Sequence, residues 1–245
     1  MLTNACLIII VEASIIDEFN KTFFKLKESY SNTLSKIKVI DEPLFLCLKS
    51  VYCVETEDVI LPPNFCSRCK AASVDLVNVE TTNLYLELRR GENCFFGSKT
   101  RNYIYQLIDW FFWTTNIFII LSERETHYRP IPVVMSKVKA INGVLSECKL
   151  NYLTVLEEIK ELDAGIYTQL VSCFDPFSKH VPLSSDFPQR LEAMVNKINI
   201  EHLGKCKQIL VLDNIPIADI AEWEIIPPIF GFVASFYMLL EEAIA

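Results

Sequence analysis

Three observations predict a layered α/β protein. Ile229 to Tyr237 is an almost uninterrupted apolar run, as in a strand covered on both faces. Just before it, Ile217 to Ile226 reads as a short helix opened by Pro216 and closed by Pro227-Pro228. Upstream, residues 84 to 121 read as strand, loop, helix, strand, a βαβ crossover that makes a parallel pair. The expected architecture is one domain over 1–245, with a mixed, partly parallel central sheet flanked by helices.

From the N-terminus, Cys6 to Ala13 is apolar and reads as a first buried strand. Ser14 to Tyr30 carries Ile15, Ile16, Phe19, Phe23 and Phe24 at helical spacing, with Asp17, Glu18, Lys21 and Lys25 between them. Leu44 to Val54 reads as a strand, and Glu55 to Ala72, with Pro62-Pro63-Asn64, as a loop. Val74 to Val79 and Leu84 to Leu88 are two further strands joined by a tight turn at Thr81-Thr82-Asn83. Gly91 to Lys99 is a loop. In Thr100 to Trp113 the residues Ile104, Leu107, Ile108, Phe111 and Phe112 mark an amphipathic helix, and Ile117 to Leu121 a buried strand. Ser146 to Leu162 repeats the helical spacing with Cys148, Tyr152, Leu156 and Ile159. Asp175 to Pro188 reads as a surface excursion.

Composition narrows the function classes. The 245 residues are 51% hydrophobic, mean hydropathy is +0.27, and 23 basic residues face 31 acidic ones for a net charge of -8. Such a chain is ordered and core-rich. Nucleic acid is an unexpected partner, because affinity for phosphate backbones comes from clustered cations. No basic segment precedes the apolar stretch Leu7 to Val11, so no signal peptide is read, and the run Ile225 to Leu240 is too short for a membrane span. The expectation is a cytoplasmic chain, also compatible with the nucleus, whose nine cysteines are mostly reduced and packed.

Residues 84 to 90 (Leu-Tyr-Leu-Glu-Leu-Arg-Arg), 103 to 110 (Tyr-Ile-Tyr-Gln-Leu-Ile-Asp-Trp) and 117 to 129 (Ile-Phe-Ile-Ile-Leu-Ser-Glu-Arg-Glu-Thr-His-Tyr-Arg) succeed one another as in the central βαβ of a known family. The closing stretch Ile215 to Ile229 matches that family's helix and following strand start. On these two patches the chain resembles the proteasome assembly chaperone 1/2 family, with spacing closer to its first member than to its second. The resemblance implies a nucleoside-phosphorylase-like fold without a catalytic site. It also implies no cofactor, a heterodimer with a second assembly chaperone, and docking on proteasome α subunits during ring assembly. Asp213, Asn214 and Trp223 fall in the matching segment and are the expected partner-facing residues. The family ends in a hydrophobic-Tyr-X tail, and Glu-Glu-Ala-Ile-Ala at 241–245 departs from it. The alternatives are the second chaperone of the pair, a degenerate nucleoside-phosphorylase-like enzyme or small-molecule binder, and another α/β scaffold.

Metal, redox and hydrolytic chemistry leave weaker traces. Cys66-Ser-Arg-Cys69 is one zinc-type knuckle, with Cys47 and Cys53 upstream, but a structural zinc site wants two such pairs. Thioredoxin-like use of that motif needs a helix N-terminus, whereas the prolines before it argue for a loop. The histidines are His127, His180 and His202, and no nucleophile elbow, phosphate loop or zincin helix is present. Arg89-Arg90-Gly91 with Gly97 makes only a thin phosphate cradle. The expectation is therefore no enzyme. The aromatics Tyr103, Tyr105 and Phe111-Phe112-Trp113 are a further candidate contact surface, or simply core.

Overall fold

A computed structural model describes residues 4–76, 100, 102–107, 135–210 and 230–244. Among them the regular structure is helical and no strand occurs, which overturns the α/β layered sheet. The elements are α1 (Asn4–Ile40), α2 (Glu42–Tyr52), α3 (Phe65–Leu76), α4 (Met135–Leu162), α5 (Ala164–Phe174), α6 (Phe187–Val195), α7 (Glu201–Leu210) and α8 (Gly231–Ile244). Residues 102–107 are also helical.

Each expected strand that falls within the described residues has a helical explanation. Of the run expected to be the strand 229–237, residues 231–237 belong to α8. Its buried positions Phe232, Val233, Phe236, Leu239, Leu240 and Ala243 repeat at three and four residues, a period that a nine-residue window hides. Of the strand expected over Leu44 to Val54, residues Leu44 to Tyr52 lie in α2. There Asp41 caps the helix, its carboxylate accepting from Leu44 N at 3.0 Å, and Pro43 sits in the first turn. Leu44, Cys47, Leu48, Val51 and Tyr52 then form one buried stripe. The strand expected over Cys6–Ala13 is the first part of α1, a 37-residue helix. The loop expected over Glu55–Ala72 gives way to α3 from Phe65 onward, and Val74 and Leu76, read as a strand, lie in that helix. The strands expected at 84–88 and 117–121 lie outside the described residues.

Where polar and apolar residues alternate at helical period, the reading and the structure agree. Ile16, Phe19 and Phe23 of α1 are buried, as are Cys148, Tyr152, Leu156 and Ile159 of α4. Phe24 is the exception, at 50% exposed. Ile104 and Leu107 are buried on the short helix 102–107, beside Tyr103, whose hydroxyl donates to Glu192 Oε1 at 2.9 Å. Ile108 and Phe111 to Trp113 lie outside the described residues.

Two groups of helices share the core. α1 packs on α2 and α3, while α4 packs on α5 and α7; α8 lies against α4, α6 and α7. An aromatic cluster joins the groups. Phe236 meets Tyr152 at 5.0 Å and Phe174 at 5.2 Å between ring centroids, and Phe232 meets Tyr152 at 5.1 Å and Tyr52 at 5.5 Å. These pairs are edge-to-face, the arrangement that the ring quadrupoles favour.

Gly143 sits inside α4 with nothing within 4 Å of where a Cβ would stand. Gly143→Ala is therefore expected to stabilise the protein by roughly 0.5–1 kcal/mol, by restricting the unfolded chain and raising helix propensity. Urea unfolding midpoints of the two proteins check this. A lower midpoint for the variant would contradict it.

Candidate functional site

The site grows out of the way α5 ends. Asp175 N donates to Val171 O at 2.9 Å, and Pro176 cannot continue the ladder. The Asp175 carboxylate then accepts from Phe177 N at 2.7 Å through Oδ1 and from Val54 N at 3.0 Å through Oδ2. Its side chain thus turns the chain sharply and ties it to the end of α2. Burial raises the Asp175 carboxyl above its ordinary value, against the pull of these N–H groups and of Lys27.

The chain following the turn is fixed to α1 and α5 by side chains that imitate a backbone neighbour. Asn20 donates to Leu183 O and accepts from Leu183 N, both at 2.8 Å. Ser172 Oγ accepts from Val181 N at 2.7 Å, and Gln169 Oε1 from Ser184 N at 3.0 Å. The expected surface excursion is thus an irregular segment with bonded backbone, and its Asp175 and Leu183 are buried.

Between this segment and α1 lies a cavity of about 450 Å³. One wall is a stripe of α1 at helical spacing, with Phe24, Lys27, Glu28, Ser31 and Leu34; the other holds Phe177, Ser178, Lys179 and His180. Phe45 of α2 closes one end, its ring edge-to-face with Phe177 at 5.5 Å.

Lys27 is the buried polar group of this wall, only 4% exposed. Its Nζ reaches Ser172 O, Asp175 O at 3.2 Å and Ser178 Oγ at 2.9 Å. Burial pulls its pKa down to about 8, although the nearby Cys173 and Asp175 act the other way. His180 packs edge-on to Phe24 at 5.2 Å and tilted to Phe23 at 6.1 Å. Its Nδ1 is buried with no hydrogen-bond partner. Burial and then the charge of Lys27 hold its pKa below the usual histidine value.

A second buried lysine, Lys149 of α4, donates to Ser50 O and to Thr56 Oγ1, the latter at 2.6 Å. Burial lowers it to about 8 as well, while Cys53 and Asp175 draw it upward. Asp175 therefore lies within the electrostatic reach of both lysines.

The cysteines of the zinc alternative are placed differently from the reading. Cys47 lies in α2 and Cys53 at its end, both buried, and Cys66 and Cys69 fall in α3, not in a loop. Burial pushes the Cys47 thiol up to about 11 and raises Cys53, the reverse of what a metal-binding thiolate needs. Among the described residues no group of three or more potential ligands could hold a metal ion. His202 is half-buried on α7. His127, Asp213, Asn214, Trp223 and the Arg89–Gly97 loop lie outside the described residues.

Lys27, Ser178 and His180 do not stand out as a site in the sequence. The available signal is Lys27 itself, which falls four residues after Phe23 on the apolar stripe of α1. Lys149 likewise follows Cys148 and precedes Tyr152 by one turn.

No protein-family model, no curated protein and no solved structure matches the chain. No helix among the described residues is long and apolar enough to cross a membrane.

Proposed function

We propose that this chain is a ligand-binding helical protein, and that its ligand is a small molecule with an apolar or aromatic body and a hydrogen-bond acceptor. The observation that carries the reading is the 450 Å³ cavity itself, whose lining combines three phenylalanine rings with the polar side chains of Ser31, Ser35 and Lys179. This lining fits such a molecule. Phe24, Phe45 and Phe177 offer ring surface, while the exposed Lys179 and the Ser31 position rim the opening.

The probe 1-anilinonaphthalene-8-sulfonate tests it, since its rings supply the apolar body and its sulfonate the acceptor. Saturable fluorescence enhancement is expected in the native protein. It should be abolished by Ser31→Trp, which fills the cavity from an exposed helix position, with far-UV circular dichroism unchanged. Equal binding by both proteins, or none by the native one, would remove the reading.

The pairing with an assembly chaperone is carried by residues 84–129 and 215–229, which lie largely outside the described residues. The scaffold that the resemblance implied is not the one found, and nothing on the helical fold adds to that expectation. Affinity purification of the tagged chain tests it directly through the presence or absence of proteasome α subunits.

A further inference from the structure

The chain repeats its own construction at an interval of 122 residues, the spacing from Asp41 to Asp163. These two aspartates cap α2 and α5, and each also pairs with an arginine, Arg68 or Arg190. Asn142 donates to Leu61 O and accepts from Leu61 N, as Asn20 does with Leu183. Lys149 donates to Ser50 O and Thr56 Oγ1, as Lys27 does to Ser172 O and Ser178 Oγ. Every residue named here stands 122 positions from its counterpart, and all but Thr56 and Ser178 are of the same type in both copies. The joint is reciprocal. α1 holds the segment that follows α5, and α4 holds the segment that follows α2.

We infer that the joint holding the cavity has diverged from its counterpart into a binding site for an organic acid. The apolar body lies on Phe24, Phe45 and Phe177, and the anion beside Lys179. The inference rests on the ligand-binding reading and names the chemical class of the ligand. At the counterpart joint the segment is tied to its helix, Ser146 Oγ of α4 accepting from Val59 N at 2.9 Å. The residue of α1 equivalent to Ser146 is Phe24, which has no acceptor to offer. Val181 N turns instead to Ser172 Oγ of α5, at 2.7 Å. The rings of Phe24 and of Phe177, which stands where the counterpart has Glu55, then line the space between the segment and α1.

Charge has changed in the same direction. Lys27, Lys179 and Glu28 are the charged residues lining the cavity. The counterpart positions hold Lys149 and four acids, Glu55, Glu57, Asp58 and Glu157. In a chain of net charge -8, a wall with two lysines and one glutamate is a local reversal. The two lysines differ in what they can do. Lys27 spends its three N–H groups on Ser172 O, Asp175 O and Ser178 Oγ, so it contributes charge and no further donor. Lys179 is exposed on the facing wall and makes no hydrogen bond or ion pair among the described residues. Its ammonium is the donor that an acid on the phenylalanine rings would meet.

The counterpart joint supplies variants that the fold already carries at the equivalent place. Lys179→Glu copies Glu57, and Ser31→Leu copies Leu153. Two dyes share the same rings: 1-anilinonaphthalene-8-sulfonate, and N-phenyl-1-naphthylamine, which lacks the sulfonate. Both are titrated into the native protein and the two variants. Lys179→Glu should weaken the sulfonate dye about tenfold and leave the neutral dye within about twofold. Ser31→Leu should weaken both, because it narrows the cavity. Added salt should weaken only the sulfonate dye on the native protein, a measurement that decides the matter if Lys179→Glu does not fold. A loss of less than about threefold for the sulfonate dye in Lys179→Glu, or an equal loss for both dyes, overturns the acid. The ligand-binding reading then stands without it. Unchanged binding in Ser31→Leu would place the dyes elsewhere, and failure of the sulfonate dye to bind the native protein would remove both readings.

Discussion

Phe236→Ala is expected to lower the unfolding free energy by about 3–5 kcal/mol, the range for deleting a fully buried aromatic side chain. The ring is 0% exposed and meets Tyr152 of α4 and Phe174 of α5. Its loss leaves a void between α8 and both partners, and the neighbouring rings cannot collapse into it without giving up their own edge-to-face contacts. Urea denaturation followed by circular dichroism gives the number. A loss below about 1 kcal/mol would mean that α8 does not bind the helical groups together.

Asp175→Ala should cost a similar amount, about 3–5 kcal/mol, for a different reason. The carboxylate is the acceptor for two backbone N–H groups, on Val54 and Phe177, and the anion near two buried lysines. Alanine leaves all of them without it. Asp175→Asn separates the contributions, since its amide oxygen still accepts from a backbone N–H but carries no charge. If the asparagine variant keeps half or more of the stability, the turn hydrogen bonds dominate. If it falls as far as alanine, the charge does. A loss below about 1 kcal/mol in both variants would show that Asp175 holds nothing together.

The same lysines fix how stability changes in alkali. Lys27 and Lys149 have folded values near 8, below their ordinary 10.5, so the unfolded chain binds more protons between those limits. Stability therefore rises with pH from about 8. The buried thiols oppose this. Cys47 and Cys173 are pushed up from 9.0 to about 11 and 12, so above pH 9 the unfolded chain loses protons that the folded one keeps. The urea midpoint should climb from pH 7 to a maximum between about 9 and 10 and then fall. A steady decline from pH 7 would show that the lysines are not desolvated.

The helices legible in the sequence are those with charged residues between the apolar ones. In Ser14–Tyr30 and Ser146–Leu162 the polar gaps make the period visible. Residues 44–54 and 229–237 have few polar gaps, so a buried helix and a buried strand look alike over such lengths. Asp41-Glu42-Pro43 is a readable helix start, but the apolar density of residues 44–54 outweighs it and favours a strand. The site is hard to see because its parts lie far apart in the chain: Lys27 meets Ser178 across a separation of 151 residues. The visible trace is a lysine on an apolar stripe, which in a helix packed into a core asks for a buried acceptor set.

The segment held by Asn20, Ser172 and Gln169 has a consequence for proteolysis. Lys179 is exposed and offers trypsin a site in a stretch without regular structure. Yet Ser178 N is bonded on one side and Val181 N on the other, so the protease cannot draw the segment into its cleft while these bonds hold. Nicking after Lys179 would then proceed only from molecules in which this wall has lifted from α1. Its rate, measured as protease is increased, would report how often the cavity opens to admit what it holds.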